Sequence, residues 1–234
     1  MTRRWYVWIG ALLLLSLVAL FPLRFALDWT LDEDDVLTAR QVGGTVWSGR
    51  LGEAAMGSQR LGTFDVALSP LPLFIGRTEV RVERLEDPEG PLEGRFFLSG
   101  PSEGIASVNG RLAVDALVAP LPIEAFEFDD VDLLFDDAGC KRASGTLTAL
   151  PTTAVPFLTS GMTGPVTCEG DVALATLAGP RGGETVELRL SRDGMVESSL
   201  RIASPPALIG EILRAAGFTI EGSDYVLTST GRLR

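Results

Sequence analysis

The sequence contains no histidine. That absence removes Ser-His-Asp and Cys-His catalysis, histidine-ligated zinc and haem, and any imidazole-based pH switch. Lysine occurs once, at Lys141, so every other basic side chain is an arginine. Cys140 precedes that lysine, so no phosphate-binding Gly-Lys-Ser/Thr loop exists and lysine Schiff-base chemistry has little to build on. Positive charge is scarce as well. The 20 basic residues against 31 acidic ones leave a formal net charge of −11. Binding DNA or RNA through the backbone needs a basic face to displace counterions, which argues against a nucleic-acid partner. Cysteine is limited to Cys140 and Cys168.

What is present begins with a hydrophobic run. Trp5 to Leu23 is 19 residues without a charge, lying between Arg4 and Arg24. As a helix it would extend roughly 28 Å, close to the ~30 Å hydrocarbon core of a bilayer. Trp5, Tyr6 and Trp8 suit one interface and Trp29 the other. A cleaved signal peptide is the alternative, with an apolar core of ~7–15 residues and a small-residue cleavage site. This run is longer, and Phe21-Pro22-Leu23-Arg24-Phe25 follows it, so it reads as an uncleaved single-pass transmembrane anchor. Arg3 and Arg4 precede it; Asp28 and Asp32-Glu33-Asp34-Asp35 follow. The positive-inside rule therefore expects a cytoplasmic N-terminus and an exported remainder. Residues 1–27 hold three of the basic residues and no acidic one, leaving the remainder at a formal −14. The expected organisation is a cytoplasmic tail (1–4), an anchor (5–23), an acidic stalk (24–43) and an exported β domain (44–234).

An even pair of cysteines in an exported segment reads as a disulfide, Cys140–Cys168. Its loop of 29 residues is worth roughly 3.5 kcal/mol in the chain-entropy model.

The body alternates apolar and polar residues with period two, as in Glu79-Val80-Arg81-Val82-Glu83 and Thr185-Val186-Glu187-Leu188-Arg189-Leu190-Ser191. Similar runs recur over 45–51, 62–68, 92–98, 105–114, 126–135, 144–150, 166–177, 195–202 and 225–233. Asp87-Pro88-Glu89-Gly90, Asn109-Gly110, Gly182-Gly183 and Asp193-Gly194 punctuate them. Asp193-Gly194 predicts a type I′ hairpin turn. The phase slip at Asp129-Asp130 predicts a bulge. The fold class is mainly β, a curved antiparallel sheet with one or two short helices. One helix is expected over Pro205–Gly217, with Leu208, Ile209, Ile212, Leu213 and Ala215 on its apolar face, and a helical turn over Pro70–Gly76.

Chemical motifs are poor. Gly100-Pro101-Ser102-Glu103-Gly104 fits the pattern of a nucleophile elbow, but no histidine can serve it as base. Asp129, Asp130, Asp132, Asp136 and Asp137 cluster without the glycine and terminal glutamate of a calcium loop, and read as solvated surface. No cofactor, metal or catalytic set is expected, and the chain does not read as an enzyme.

Gly44-Thr45-Val46-Trp47-Ser48-Gly49 is more telling as a pattern. It is followed by Leu61 to Pro70 and by Leu73-Phe74-Ile75-Gly76. Later come Ala138-Gly139-Cys140 with Ser144-Gly145-Thr146-Leu147, then Gly164 to Gly170 around Cys168, Leu208 to Gly217, Tyr225-Val226-Leu227 and Gly231-Arg232-Leu233. In order and spacing this resembles type II secretion system protein N. Tryptophan is frequent in that family where Val66 or Ala67 stands here. The resemblance implies an accessory, non-catalytic inner-membrane component of the Gram-negative secretion apparatus. Its β domain would act in assembly or scaffolding, with other components as partners, and Gly44, Trp47, Gly49, Pro70 and Gly76 would be motif or structural anchors. The architecture also resembles the AsmA-like group, which implies a second function class, periplasmic lipid binding or transfer. Val186, Leu188 and Leu190, with Val80 and Val82, are the candidate lipid-facing positions.

Overall fold

The computed structural model describes residues 2–30, 37–56, 59–84, 90–114, 118–152, 158 and 160–232. Helices α1 (Thr2–Ala19) and α2 (Leu23–Thr30) come first. Strands β1 (Leu37–Thr45), β2 (Ser48–Met56) and β3 (Gln59–Leu68) lead to α3 (Pro70–Leu73). Then come β4 (Arg77–Arg84), β5 (Leu92–Ser99), β6 (Ser102–Ala113), β7 (Ile123–Asp136), β8 (Gly139–Pro151), β9 (Met162–Glu169), β10 (Val172–Ala178), β11 (Glu184–Leu190) and β12 (Met195–Ile202). Helix α4 (Ala207–Ala215), β13 (Thr219–Glu221) and β14 (Asp224–Arg232) finish the chain. All 14 strands form one antiparallel sheet in the order β1 to β12, then β14 and β13.

The sheet is bent. Neighbouring strands lie roughly 4.8 Å apart, so β6 and the β11–β12 turn would be some 24 Å apart if the sheet were flat. Yet Arg192, in that turn, donates to Glu103 at the start of β6 at 3.2 Å and to the Pro101 carbonyl at 2.9 Å. From the middle of β14 the Ser229 hydroxyl donates to the Ala119 carbonyl, beyond the far end of β6. The bend brings inward-facing residues of β6–β14 into one apolar cluster, including Val131, Leu177, Val186 and Leu200. A smaller cluster joins α2 to β2 and β3 through Leu23, Ala54, Phe64 and Val66. Where the two regions meet, the fully buried Arg84 donates to the carbonyls of Gly90 (3.0 Å), Leu61 (2.6 Å) and Arg111 (2.5 Å). Its guanidinium lies 5.7 Å from the Phe64 ring centre.

The largest departure from the sequence reading is at the N-terminus. The sequence places one transmembrane helix over Trp5–Leu23; the structure ends α1 at Ala19. Pro22 has no N–H to continue the helical ladder. Instead the Phe21 carbonyl accepts from Val46 N at 3.0 Å, Pro22 bridges Thr45, and Leu23 is buried in the smaller core. The apolar part of α1 is thus Trp5–Ala19, roughly 22 Å long. Among the described residues no helix is both long and apolar enough to cross a membrane. The segment assigned to an acidic stalk contains α2 and most of β1. Asp32, Glu33, Asp34 and Asp35 lie outside the described residues, as do Asp87, Pro88, Glu89 and Leu233.

Other differences are local. Residues 45–51 and 166–177 are not single strands: the first contains the β1–β2 turn and the second the β9–β10 turn. Asp193-Gly194 closes a hairpin, but over three residues between Ser191 and Met195. Only Gly194 has positive φ, which excludes the two-residue type I′ geometry. Helix α4 buries Leu213 and leaves Leu208 and Ile212 exposed, so its core face is narrower than the sequence suggests. The bulge at Asp129-Asp130 is present, with Asp130 at φ 48 and the β7–β8 register shifting beside it. Gly100-Pro101 is the turn of the β5–β6 hairpin, so its Gly-x-Ser-x-Gly pattern is turn chemistry.

Candidate functional site

The Gly44–Gly49 segment is a joint. It forms the β1–β2 turn and receives both N-terminal helices. Trp47 sits at the turn rather than within a strand, half-buried, and its indole N–H donates to the Val18 carbonyl at 2.8 Å. That carbonyl belongs to the last turn of α1 and also accepts from Phe21 N at 3.3 Å, so the indole adds a second donor where the helix ends. Val46 N holds Phe21, and the Val46 carbonyl accepts from Leu68 N at 2.8 Å. Gly49 is where Leu23 enters: a Cβ there would stand 2.5 Å from Leu23 Cδ2 and 2.8 Å from the Thr45 carbonyl oxygen. Gly44 has φ 83, a backbone state that costs other residues strain. Pro70 opens α3 and Gly76 ends the turn after it, next to the joint along β3. The five motif positions therefore lie at one end of the sheet, where the apolar N-terminal helix arrives.

Two edges bound the sheet. β13 is three residues long, whereas β1 is nine. Among the described residues no strand pairs with the outer side of β1 beyond the Pro22–Thr45 bridge. A long unpaired edge offers its N–H and C=O groups to an added strand. Arg40 and Glu53 pair across β1–β2 at 2.9 Å, and Arg50 and Asp65 across β2–β3 at 2.6 Å, so this region carries both signs of charge. The Arg50 hydrogen bond holds the Asp65 carboxyl below the usual carboxylate range.

The acidic residues are spread among partners. Asp132 accepts from Ser107 N at 2.7 Å, Glu124 pairs with Arg111 at 2.8 Å, and Asp137 pairs with Arg192 at 2.7 Å. Asp136 accepts from Ala138 N and pairs with Lys141; the backbone bond, then the lysine, lowers its pKa. Among the described residues no three acidic or cysteine side chains group as metal ligands would. A shallow groove of about 240 Å³ gathers Arg77, Arg95 and Arg142 with Glu79 and Asp132. Its charges are mixed: Arg95 faces Glu79 at 3.9 Å and Arg77 lies over Phe97 at 4.7 Å.

The disulfide joins Cys140 at the start of β8 to Cys168 in β9, with Cα atoms 5.6 Å apart. The β8–β9 ladder is short, running only from Thr146↔Pro165 to Ala149↔Met162. Cys140 N donates instead to Asp171 O, beyond β9. The bridge thus fastens two strands where hydrogen bonds between them have stopped.

Of the candidate lipid-facing strand, Val186 and Leu188 are buried in the main apolar cluster. Leu190, like Val80 and Val82, is half-buried. An alternating strand has the same pattern whether its apolar face is covered or open, so the sequence could not separate the two. Arg84 was missed altogether: a lone arginine at a strand end carries no signal of burial.

A family model described as type II secretion system (T2SS), protein N, matches residues 35–227. No curated protein and no solved structure matches the chain.

Proposed function

The chain belongs to the type II secretion system protein N family, and on that premise we propose that it is a non-catalytic scaffold of the secretion apparatus at the Gram-negative inner membrane. The family match carries this reading; the open β1 edge supplies a physical means for it. In this reading β1 accepts a strand from another secretion component, through main-chain hydrogen bonds that tolerate varied side chains. The acidic surface favours partners with basic patches and speeds their encounter. Helix α1 enters the membrane, with Arg3 and Arg4 towards the cytoplasm and the sheet in the periplasm. The Cys140–Cys168 bridge suits that oxidising compartment.

The test is photo-crosslinking in the native host, with the crosslinker at Gln41 on β1 and, as a control, at Glu187 on β11, which is paired on both sides. Adducts to other secretion components at Gln41 and not at Glu187 are expected. No adduct at Gln41, together with normal secretion of every type II substrate in a deletion strain, would overturn the reading.

A further inference from the structure

Four large apolar side chains after β3 have no place in the fold's core. Leu71, Phe74 and Ile75 are 79%, 87% and 79% exposed, and Leu73 is exposed beside them. No residue of α3 is buried, and none of the four belongs to either apolar cluster. Phe96 and Leu98 of β5 are exposed too, opposite Val80 and Thr78 of the strand that leaves this turn. Side chains so exposed contribute little to folding, and a contiguous patch of them marks a surface that meets something apolar.

Position and charge say what. The α3 turn lies at the strand ends that receive α1: Leu68, just before it, is hydrogen-bonded to Val46, next to Trp47 and its contact with Val18. Helix α1 is itself exposed on all sides, from Trp5 to Leu17. From Val66 to Thr78 the chain has no acidic residue and one arginine, Arg77, although the protein carries 31 acids. An apolar turn, free of negative charge and flanked by a cation, suits the headgroup boundary of an anionic bilayer.

We infer that the α3 turn (Leu71, Leu73, Phe74 and Ile75) is a second membrane contact, dipping into the same lipid surface that takes α1. It holds the sheet with the Trp47 end against the bilayer and the α4 end away from it. This inference rests on α1 lying in lipid, and the experiment separates the two.

Full-length protein is reconstituted into vesicles of phosphatidylethanolamine and phosphatidylglycerol. Single cysteines at Ile75, at Leu12 in α1 and at Arg181 at the opposite strand ends are labelled with an environment-sensitive fluorophore. Because Cys140 and Cys168 are bonded together, the introduced thiol is the labelling site. Spin-labelled lipids then quench the probes by depth. Expected is a blue-shifted probe at Ile75, quenched several-fold more than at Arg181 and most strongly by labels within roughly 5–10 Å of the headgroup boundary. Adding Phe74→Asp should remove that shift and quenching without changing the melting temperature, because Phe74 packs in no core. Quenching at Leu12 with Ile75 no different from Arg181 overturns the inference and leaves α1 in lipid. Quenching at neither overturns both readings.

Discussion

Replacing Cys140 and Cys168 together by alanine tests how the sheet is held shut between β8 and β9. The bridge closes a 29-residue loop, for a sequence separation of 28. Constraining the unfolded chain by that length is worth roughly 3.5 kcal/mol. For a chain of this size each kcal/mol moves the melting temperature by about 2–4 °C, so a fall of about 7–14 °C is expected under non-reducing conditions. The loss should also be localised. The β8–β9 ladder stops at Thr146↔Pro165, and Pro165 has no N–H to give. Without the bridge, Lys141–Gly145 and Val166–Glu169 should exchange amide hydrogens faster, while β11 and β12 keep their protection. Thermal melts and hydrogen exchange on the wild type, with and without reductant, provide the matched control. A melting temperature within ~2 °C of wild type, with unchanged exchange at Val166–Glu169, would refute the reasoning.

Further perturbations address the other contacts. Gly49→Val forces a side chain against Leu23 and the Thr45 carbonyl, so a loss of about 1–3 kcal/mol is expected by chemical denaturation, with faster exchange in α2. Arg84→Met removes donors to three carbonyls while keeping some bulk; about 3 kcal/mol should be lost, and an unchanged unfolding midpoint would refute the role given to it. Asp65 and Asp136 have folded pKa values below their unfolded ones, so their small stabilisation is present above the unfolded value. It is lost as pH falls through the lowered folded values. Asp136→Asn should therefore flatten the acid limb of a stability–pH curve, and less so in high salt.

The strands were legible because period-two alternation survives whichever face is buried. The runs at 195–202 and 126–135 fall within β12 and β7, and the bulge shows as a phase slip. Pro205 and Gly217 bracket α4 for the reasons that prolines start and glycines end helices. Hydropathy misled at the N-terminus because Phe21 and Leu23 are equally apolar in a bilayer or a protein core. Only the partners, Val46 for Phe21 and Gly49 for Leu23, decide between them. Trp47 was legible as a motif but not as a clasp on α1, since its partner is a backbone carbonyl 29 residues away. The bend of the sheet was hidden for the same reason: Arg192 and Glu103 are 89 residues apart.

The order of the strands also sets a direction of growth. From β2 to β12 each strand pairs with the one made just before it, so little chain must be searched to form each step. A chain emerging N-terminus first can lay down its sheet one strand at a time, each new strand serving as template for the next. The β11–β12 turn reaches back to β6 through Arg192, and β14 then brings Ser229 to Ala119. The edge at β13 is blunted by its three residues, while among the described residues the edge at β1 is long and has no paired strand beyond the Pro22–Thr45 bridge. Two copies meeting end to end would bring unlike edges together. The protein is thereby polarised along its sheet: an assembly built by strand addition can begin at one side and has nowhere comparable to continue from the other.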